Sequence, residues 1–498
     1  MVDAIRRIRK PPNTETLMTK RLFTVMLFTV VCLTTAWGGR EHYSEWIVES
    51  EMQRVAHPYN LDYNSSPKWQ YSIAVEVEPM MDVYLRYGNE QVLNYVKEYP
   101  DYMVAADGSI GGKYKYSDFN LDNVRPGHLL LRYHQNWPED KNAKAMETLF
   151  TQLENQPRTE EGVWWHKEIY ANQVWLDGIF MGLPYYTLAA PLLRPGQEKK
   201  YYDDAVDQII KTDQRTYDEA TRLWKHAWDE TKSMFWANSE TGLSQHTWGR
   251  ALGWYSMAIV EVLDALPKDY ERRGEVIELF QKVMRSVVEY QDETSGVWYD
   301  VLDVVDSRNY LEATCSSMFA YCLLKGARLG YLDKSYLKAG MKAYRGIVKE
   351  FIKVNENGTL SLTKCCSVSG LGPDSNPKRD GSFEYYMSES IRDNDGKGVG
   401  PFIWASLEME QMGYNTTNLD EDLTGGLPPD LLEPSGWGAC GDANGDGVVS
   451  VGDVLAVANY IQGNEPSGFD KTVADVNGDG VVNVGDVIAI VNILLQKQ

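Results

Sequence analysis

From Tyr43 to about Met412, apolar residues return every three or four positions, with polar residues between them. The pattern is clear in VEPMMDVYLRYG, VRPGHLLLRYHQNW, AKAMETLFTQLE, GRALGWYSMAIVEVLDAL, EVIELFQKVMRSVVEYQ, TCSSMFAYCLLKGARLG and YLKAGMKAYRGIVKEFIK. This is the period of a helix with one buried face. The helices are separated by loops rich in Gly, Asp and Trp, such as AADGSIGGKYKYSDFN, QDETSGVWYD and NENGTL. Alternating strand patterns are scarce; short two-stranded pieces are expected at TLSL and GVWYDV. At roughly 60 residues per helical pair, about 370 residues make six hairpins. Closed into a ring, they form a mostly α, (α/α)6 barrel with a cleft among the long loops at one end. An open solenoid would show a fixed sequence period, and none is visible.

Near Tyr414 the pattern changes. NTTNLDEDLTGGLPPDLLEPSGWG is rich in Gly, Pro and acid, has no helical period, and reads as a linker. Beyond it, GDANGDGVVSVGDVLAVANYI and ADVNGDGVVNVGDVIAIVNIL repeat at an offset of 33 residues. Each copy opens on a loop with oxygen donors at positions 1, 3, 5, 9 and 12 and Gly at position 6. The first loop has Asp442, Asn444, Asp446, Ser450 and Asp453, and the second has Asp475, Asn477, Asp479, Asn483 and Asp486. Val448 and Val481 would each supply a backbone carbonyl. Calcium takes six to eight hard oxygen ligands, and Gly lets the loop turn beneath the ion. Two such loops in register predict two Ca2+ sites.

Composition changes this picture in three places. Aromatics make up 12% of the chain, enough to serve both a core and flat faces for sugar rings. A net charge of -22 without a basic stripe argues against nucleic acid as a partner. At the N-terminus, Lys20 and Arg21 precede the apolar run LFTVMLFTVVCLTT and then Ala36-Trp37-Gly38, the pattern of an export signal. The run is short for a membrane span. Met18 is an alternative start. The expected division is 1–38 signal peptide, 40–415 barrel, 416–438 linker and 439–498 calcium-loop module. No membrane span remains once the signal is removed, and the expected location is extracellular, cell-surface or periplasmic. Cys315 and Cys322 are seven apart on one helix, about 10 Å, too far to bridge. They and the vicinal Cys365 and Cys366 read as buried free thiols.

The candidate chemistry centres on WWHKEIYANQVWLDGIFMGLPYY. Asp177 sits inside an apolar run, so it should be paired, open to a cleft or kept protonated. A carboxylic acid protonated near neutral pH is a general acid. Glycoside hydrolysis commonly uses two carboxyl groups, and Asp122, ahead of a helix, is the second candidate, with a helix N-cap as its plain alternative. His166 and His226 could orient carboxylates or bond sugar hydroxyls. Arg250, just after Trp248, has the planar fork that grips a carboxylate.

WWHKEIYANQVWLDGIFMGLPYY, HAWDETK, FWANSETGLS, WGRALGW, the LDN at Asp122 and NDGKGVGPF together resemble glycoside hydrolase family 105, the unsaturated rhamnogalacturonyl hydrolases, over about Trp69 to Met409. Gly249 and Leu252 depart from the WARGNGW of many members, and Ala171 stands where Pro is frequent. The resemblance implies an enzyme that removes a terminal 4,5-unsaturated uronic acid from oligosaccharides made by lyases. Asp177 would be the general acid and base, with Asp122 assisting. His166, Lys167, Trp175, His226, Trp248, Arg250 and Tyr71 would line the pocket, with no catalytic cofactor. Two other readings fit the residues: a hydrolase of saturated glycosides using Asp122 and Asp177, and a non-catalytic sugar-binding protein. The duplicated loops resemble dockerin type I modules, which implies a cohesin-type scaffold partner.

Overall fold

The computed structural model describes residues 41–419, 443, 451–464, 466, 469, 471–476 and 481–495. The signal peptide expected over 1–38 and the expected linker, apart from 416–419, lie outside them. The helices in chain order are α1 (Tyr43–Arg54), α2 (Tyr71–Tyr87), α3 (Glu90–Met103), α4 (Arg125–Asn136), α5 (Asp140–Glu154), α6 (Leu176–Leu193), α7 (Glu198–Thr216), α8 (Gly249–Ala265), α9 (Arg273–Glu289), α10 (Ala313–Arg328), α11 (Tyr336–Phe351), the single turn α12 (Phe383–Tyr386) and α13 (Gly396–Gln411).

Six of these form a closed inner ring. α2 packs on α4, α4 on α6, α6 on α8, α8 on α10, α10 on α13, and α13 returns to α2. The outer helices α1, α3, α5, α7, α9 and α11 cover them, and α1 packs on α13, so the first and last helices of the barrel lock the ring. Burial follows this layering. α8 is buried continuously from Gly249 to Leu263, whereas outer α9 buries one stripe, Val276, Leu279, Phe280, Val283, Met284 and Val287.

Where inner helices meet, small residues let them approach closely. A Cβ on Gly400 of α13 would stand 2.1 Å from the backbone oxygen of Val75 on α2. Inside the ring lies a buried charge network. The Arg125 guanidinium reaches Glu261 at 2.6 Å and Glu78 at 3.0 Å and lies over the Phe180 ring. Glu78 also meets His128 and Arg132. Burial would raise the Glu78 carboxyl, but His128, Arg125 and Arg132 outweigh it and hold the group far below the usual carboxylate range.

The strands are β1 (Gln173–Trp175), β2 (Tyr217–Asp218), β3 (Leu223–Trp224), β4 (Ala227–Asp229), β5 (Ile352–Val354), β6 (Leu360–Leu362), β7 (Cys365–Cys366) and β8 (Ile391–Arg392). They pair in four antiparallel ribbons: β1–β4, β2–β3, β5–β6 and β7–β8. TLSL supplies β6. GVWYDV does not form a ribbon: Tyr299 bridges Leu311 and Val301 bridges Trp248, one residue to each partner, so no ladder can propagate. Cys315, Cys322, Cys365 and Cys366 are buried free thiols. Among the described residues, no helix is long and apolar enough to cross a membrane.

The C-terminal repeat contains α14 (Val451–Ile461), α15 (Lys471–Ala474) and α16 (Val484–Leu495). α14 and α16 pack together over a small core of Ala443, Ala456, Val457, Ala474 and Ile490. Each expected loop therefore leads into one helix.

Candidate active site

The inner helices begin at one end of the ring, where they gather the sequence-predicted residues. Tyr71 opens α2, Asp122 lies just ahead of α4, Asp177 is in the first turn of α6, and Trp248 and Arg250 sit at the start of α8. Glu312 caps α10 and Asp395 caps α13, each through a side-chain carboxylate that accepts a backbone N–H. Six helix N-termini thus face the same region and bring their positive dipole ends to it, those of α10 and α13 partly offset by the Glu312 and Asp395 carboxylates.

The β1–β4 ribbon joins the two richest motifs. Trp175 pairs with Ala227, and the Leu176 N–H donates to the His226 carbonyl at 3.2 Å. This register sets Asp177 against His226, with Oδ2 3.3 Å from Nε2. Both atoms are buried and neither makes a hydrogen bond among the described residues. The other imidazole nitrogen, Nδ1, lies 2.9 Å from the Tyr386 hydroxyl on α12. The Asp177 side chain is 14% exposed and faces His226, while neighbours such as Leu176, Ile179 and Phe180 turn into the core.

Asp122 is held differently. It lies in a 3-10 turn, Leu121–Asn123, whose cap is Asn120, accepting from the Asp122 N–H at 3.0 Å. The helix-capping alternative therefore fails, because Val124 precedes α4 without a side-chain cap. The Asp122 carboxylate receives the Lys167 ammonium at 2.5 Å and faces His166 Nε2 at 3.4 Å. Burial would raise this carboxyl, but Lys167 and His166 outweigh it and hold it below the usual range. Burial pushes His166 down to about 4, so the ring is neutral at physiological pH. Gly178 makes room for that ring against α6, since a Cβ there would meet Nδ1 at 3.0 Å.

Aromatic faces wall the cleft. Trp175 stacks on His166 with centroids 5.0 Å apart and on Tyr170 at 4.6 Å. Trp248 packs against His226 at 5.0 Å, with the Arg250 guanidinium over its ring. Arg250 itself is 1% exposed, donates to the Cys366 carbonyl and lies 3.7 Å from Glu312. Lys167, at 21%, is the more accessible cation. Tyr71 is partly buried and packs edge-on against Trp254. Burial, then Asp122, raise its hydroxyl well above the ordinary tyrosine value.

Asp300, Glu312 and Tyr386 were not singled out in the sequence. Asp300 is fully buried; Oδ1 accepts the Trp248 indole N–H at 3.0 Å, and Oδ2 makes no hydrogen bond among the described residues. Burial, then the neighbouring Glu312, push its carboxyl up to about 8. The motif GVWYD, a Trp and an Asp in one loop, was the available signal. Asp229, prominent in HAWDETK, is structural: it accepts from the backbone N–H groups of Thr231, Ser233 and Met234.

In the C-terminal repeat, Asp442, Asn444, Asp446, Val448, Ser450, Asn477 and Asp479 lie outside the described residues. Asp453 and Asp486 are fully buried. Asp486 accepts the Val476 and Asn483 N–H groups, each at 2.8 Å, tying the two ends of its loop together. Among the described residues, no group of three or more His, Cys, Asp or Glu forms a metal cluster.

The closed ring of six inner and six outer helices is the (α/α)6 fold found in the glycoside hydrolases of families 88 and 105. Residues 43–413 match Glycosyl Hydrolase Family 88, and the chain belongs to that family. Residues 440–495 match the dockerin type I domain. A solved family 105 glycoside hydrolase from C. acetobutylicum is 39% identical, covering 74% of this chain and 99% of that one, with a TM-score of 0.70. Protein Atu3128 of Agrobacterium fabrum is 36% identical over 211 residues, which is 41% of this chain and 89% of that protein. The unsaturated 3S-rhamnoglycuronyl hydrolase of Formosa agariphila is 25% identical over 253 residues, 50% of this chain and 58% of the relative.

Proposed function

We propose that this glycosidase removes the terminal 4,5-unsaturated uronic acid from lyase-generated oligosaccharides of the rhamnogalacturonan or pectin type. The carrying observation is the asymmetry of the two carboxylates. Asp122 is ion-paired to Lys167 and faces His166, whereas Asp177 faces the His226 imidazole across 3.3 Å and has no Lys or Arg ion pair among the described residues. Cleavage of a saturated glycoside asks for two carboxyl groups acting on opposite sides of one bond. Addition of water to a double bond asks for one acid–base group, and Asp177 suits that task.

In the proposed reaction, Asp177 gives its proton to C4, and water adds to C5 while its proton returns to Asp177. The resulting hemiketal opens to a ketone at C5. The hemiacetal left at C1 then expels the leaving sugar as an alcohol. Asp122, held by Lys167 and His166, positions water or substrate. Trp175 and Trp248 offer faces to the sugar ring, and His226 and Tyr71 border the reacting edge. Lys167 and Arg250, together with the converging helix N-termini, favour the negative charge of the uronate. The name of the Formosa agariphila relative supports an unsaturated uronide.

The C-terminal module would hold Ca2+ through Asp442, Asn444, Asp446, Val448, Ser450 and Asp453, and through Asp475, Asn477, Asp479, Val481, Asn483 and Asp486. It would dock an exported enzyme on a cohesin-type scaffold protein.

Unsaturated uronides absorb in the ultraviolet, so turnover is followed as loss of absorbance. Asp177→Asn should reduce kcat by about a thousandfold or more while the protein remains folded. Activity on saturated glycosides alone, or an Asp177→Asn variant that keeps most of its rate, would overturn the proposal.

A further inference from the structure

The Tyr386 hydroxyl and the Asp177 carboxylate lie at opposite edges of the same imidazole. Tyr386 is on α12, 160 residues from His226 in sequence, and its hydroxyl is 2.9 Å from Nδ1. Nε2 of the ring faces Asp177 Oδ2 at 3.3 Å. Tyr386 and His226 are both fully buried, so bulk water does not choose the imidazole tautomer. Trp248 packs against the ring at 5.0 Å and Trp175 meets it edge-on at 5.4 Å, which fixes its plane.

We propose that Tyr386 is a positioning residue that donates its hydroxyl proton to His226 Nδ1, holding the imidazole neutral with its N–H on Nε2, directed at Asp177. The proposal rests on the reading of Asp177 as the acid. In this arrangement the Nε2–H side of His226 faces Asp177 Oδ2 across 3.3 Å, and the carboxyl keeps its proton for the substrate. The opposite tautomer would present a lone pair to the acid, and the imidazole would take its proton before the substrate could. An imidazolium there would hold Asp177 ionised.

Burial is the main influence keeping the Tyr386 phenol protonated, well above the ordinary tyrosine value. A phenol that stays protonated is a constant donor across the working pH range. The groups that bear on this unit are Asp177 on α6 and His166 ahead of it, Tyr385 beside Tyr386, and Asp300 and Asp303 in the loop before α10. Tyr386 occupies the nitrogen that a second proton would need.

Tyr386→Phe removes only the hydroxyl. Its kcat should fall by roughly tenfold to a hundredfold, with KM within about threefold. The alkaline limb of its kcat profile, where the acid is lost, should move to lower pH because the imidazole now competes for the proton. Imidazole 15N shifts of the wild type should show His226 with Nε2 protonated and Nδ1 bare. An Nδ1-protonated His226, or a Tyr386→Phe enzyme with wild-type kcat and an unmoved alkaline limb, would overturn the inference. The tautomer measurement stands even if the variant does not fold. A wild-type enzyme inactive on every unsaturated uronide would instead sink the proposed function, and the 15N result would still report on the Tyr386 contact.

Discussion

Asp300 shows how far one side chain's chemistry depends on its surroundings. Its carboxyl is pushed up to about 8, first by burial and then by Glu312. The unfolded chain gives up this proton near pH 4, so between about 4 and 8 folding takes up a proton and stability falls as pH rises. Asp300→Asn keeps a carbonyl for the Trp248 N–H and has no proton to gain. Denaturant melts at about pH 5 and pH 8 should therefore show the wild type losing more stability over that interval than the variant; equal losses would refute the assignment. In the sequence this residue had only the faint signal of GVWYD. Asp177 was legible because its apolar neighbours are adjacent in the chain. Asp300 acquires its neighbours Trp248, Arg250 and Glu312 only through folding, and Tyr386 meets His226 the same way. Asp122 was legible as a polar residue ahead of a helix, but that helix has no side-chain cap and Asp122 pairs with Lys167 instead.

At the scale of elements, the one-faced helices could be read directly. The outer helices α5, α9 and α11 follow their apolar spacing because each buries one side. Inner helices such as α6 are buried on nearly every side and have no polar face to set a period. Their glycines carry the information instead, and Gly400 is a clear case. In an exposed helix, replacing Gly with Ala stabilises by about 1 kcal/mol. Here the new methyl would stand 2.1 Å from a backbone oxygen of α2, which cannot swing aside as a flexible side chain could. The clash should win, and Gly400→Ala should lower stability by about 1–3 kcal/mol, read from its denaturant midpoint. A variant as stable as wild type would mean that α2 and α13 do not need this close approach to shut the ring.

At the scale of the molecule, the chain joins two ways of stabilising a fold. The barrel closes on a large apolar core with a paired charge network inside it. The described residues of the C-terminal repeat pack on a core of mostly small side chains, Ala443, Ala456, Val457, Ala474 and Ile490. A core that small rarely holds a fold alone, and a bound ion is one of the usual supplements. The protein as a whole carries a net charge of -22, and acidic loops brought together in such a module repel one another unless a cation intervenes. Asp486 marks where that cation would act: it is fully buried and already ties the Val476 and Asn483 backbone into one loop. Titration of the full chain with Ca2+ in a calorimeter should therefore show two sites. Asp486→Ala should remove one of them, because it deletes a ligand and also the two hydrogen bonds that shape the loop. A flat titration of the wild type would refute both loops, and a variant that still binds two ions would place the second ion elsewhere.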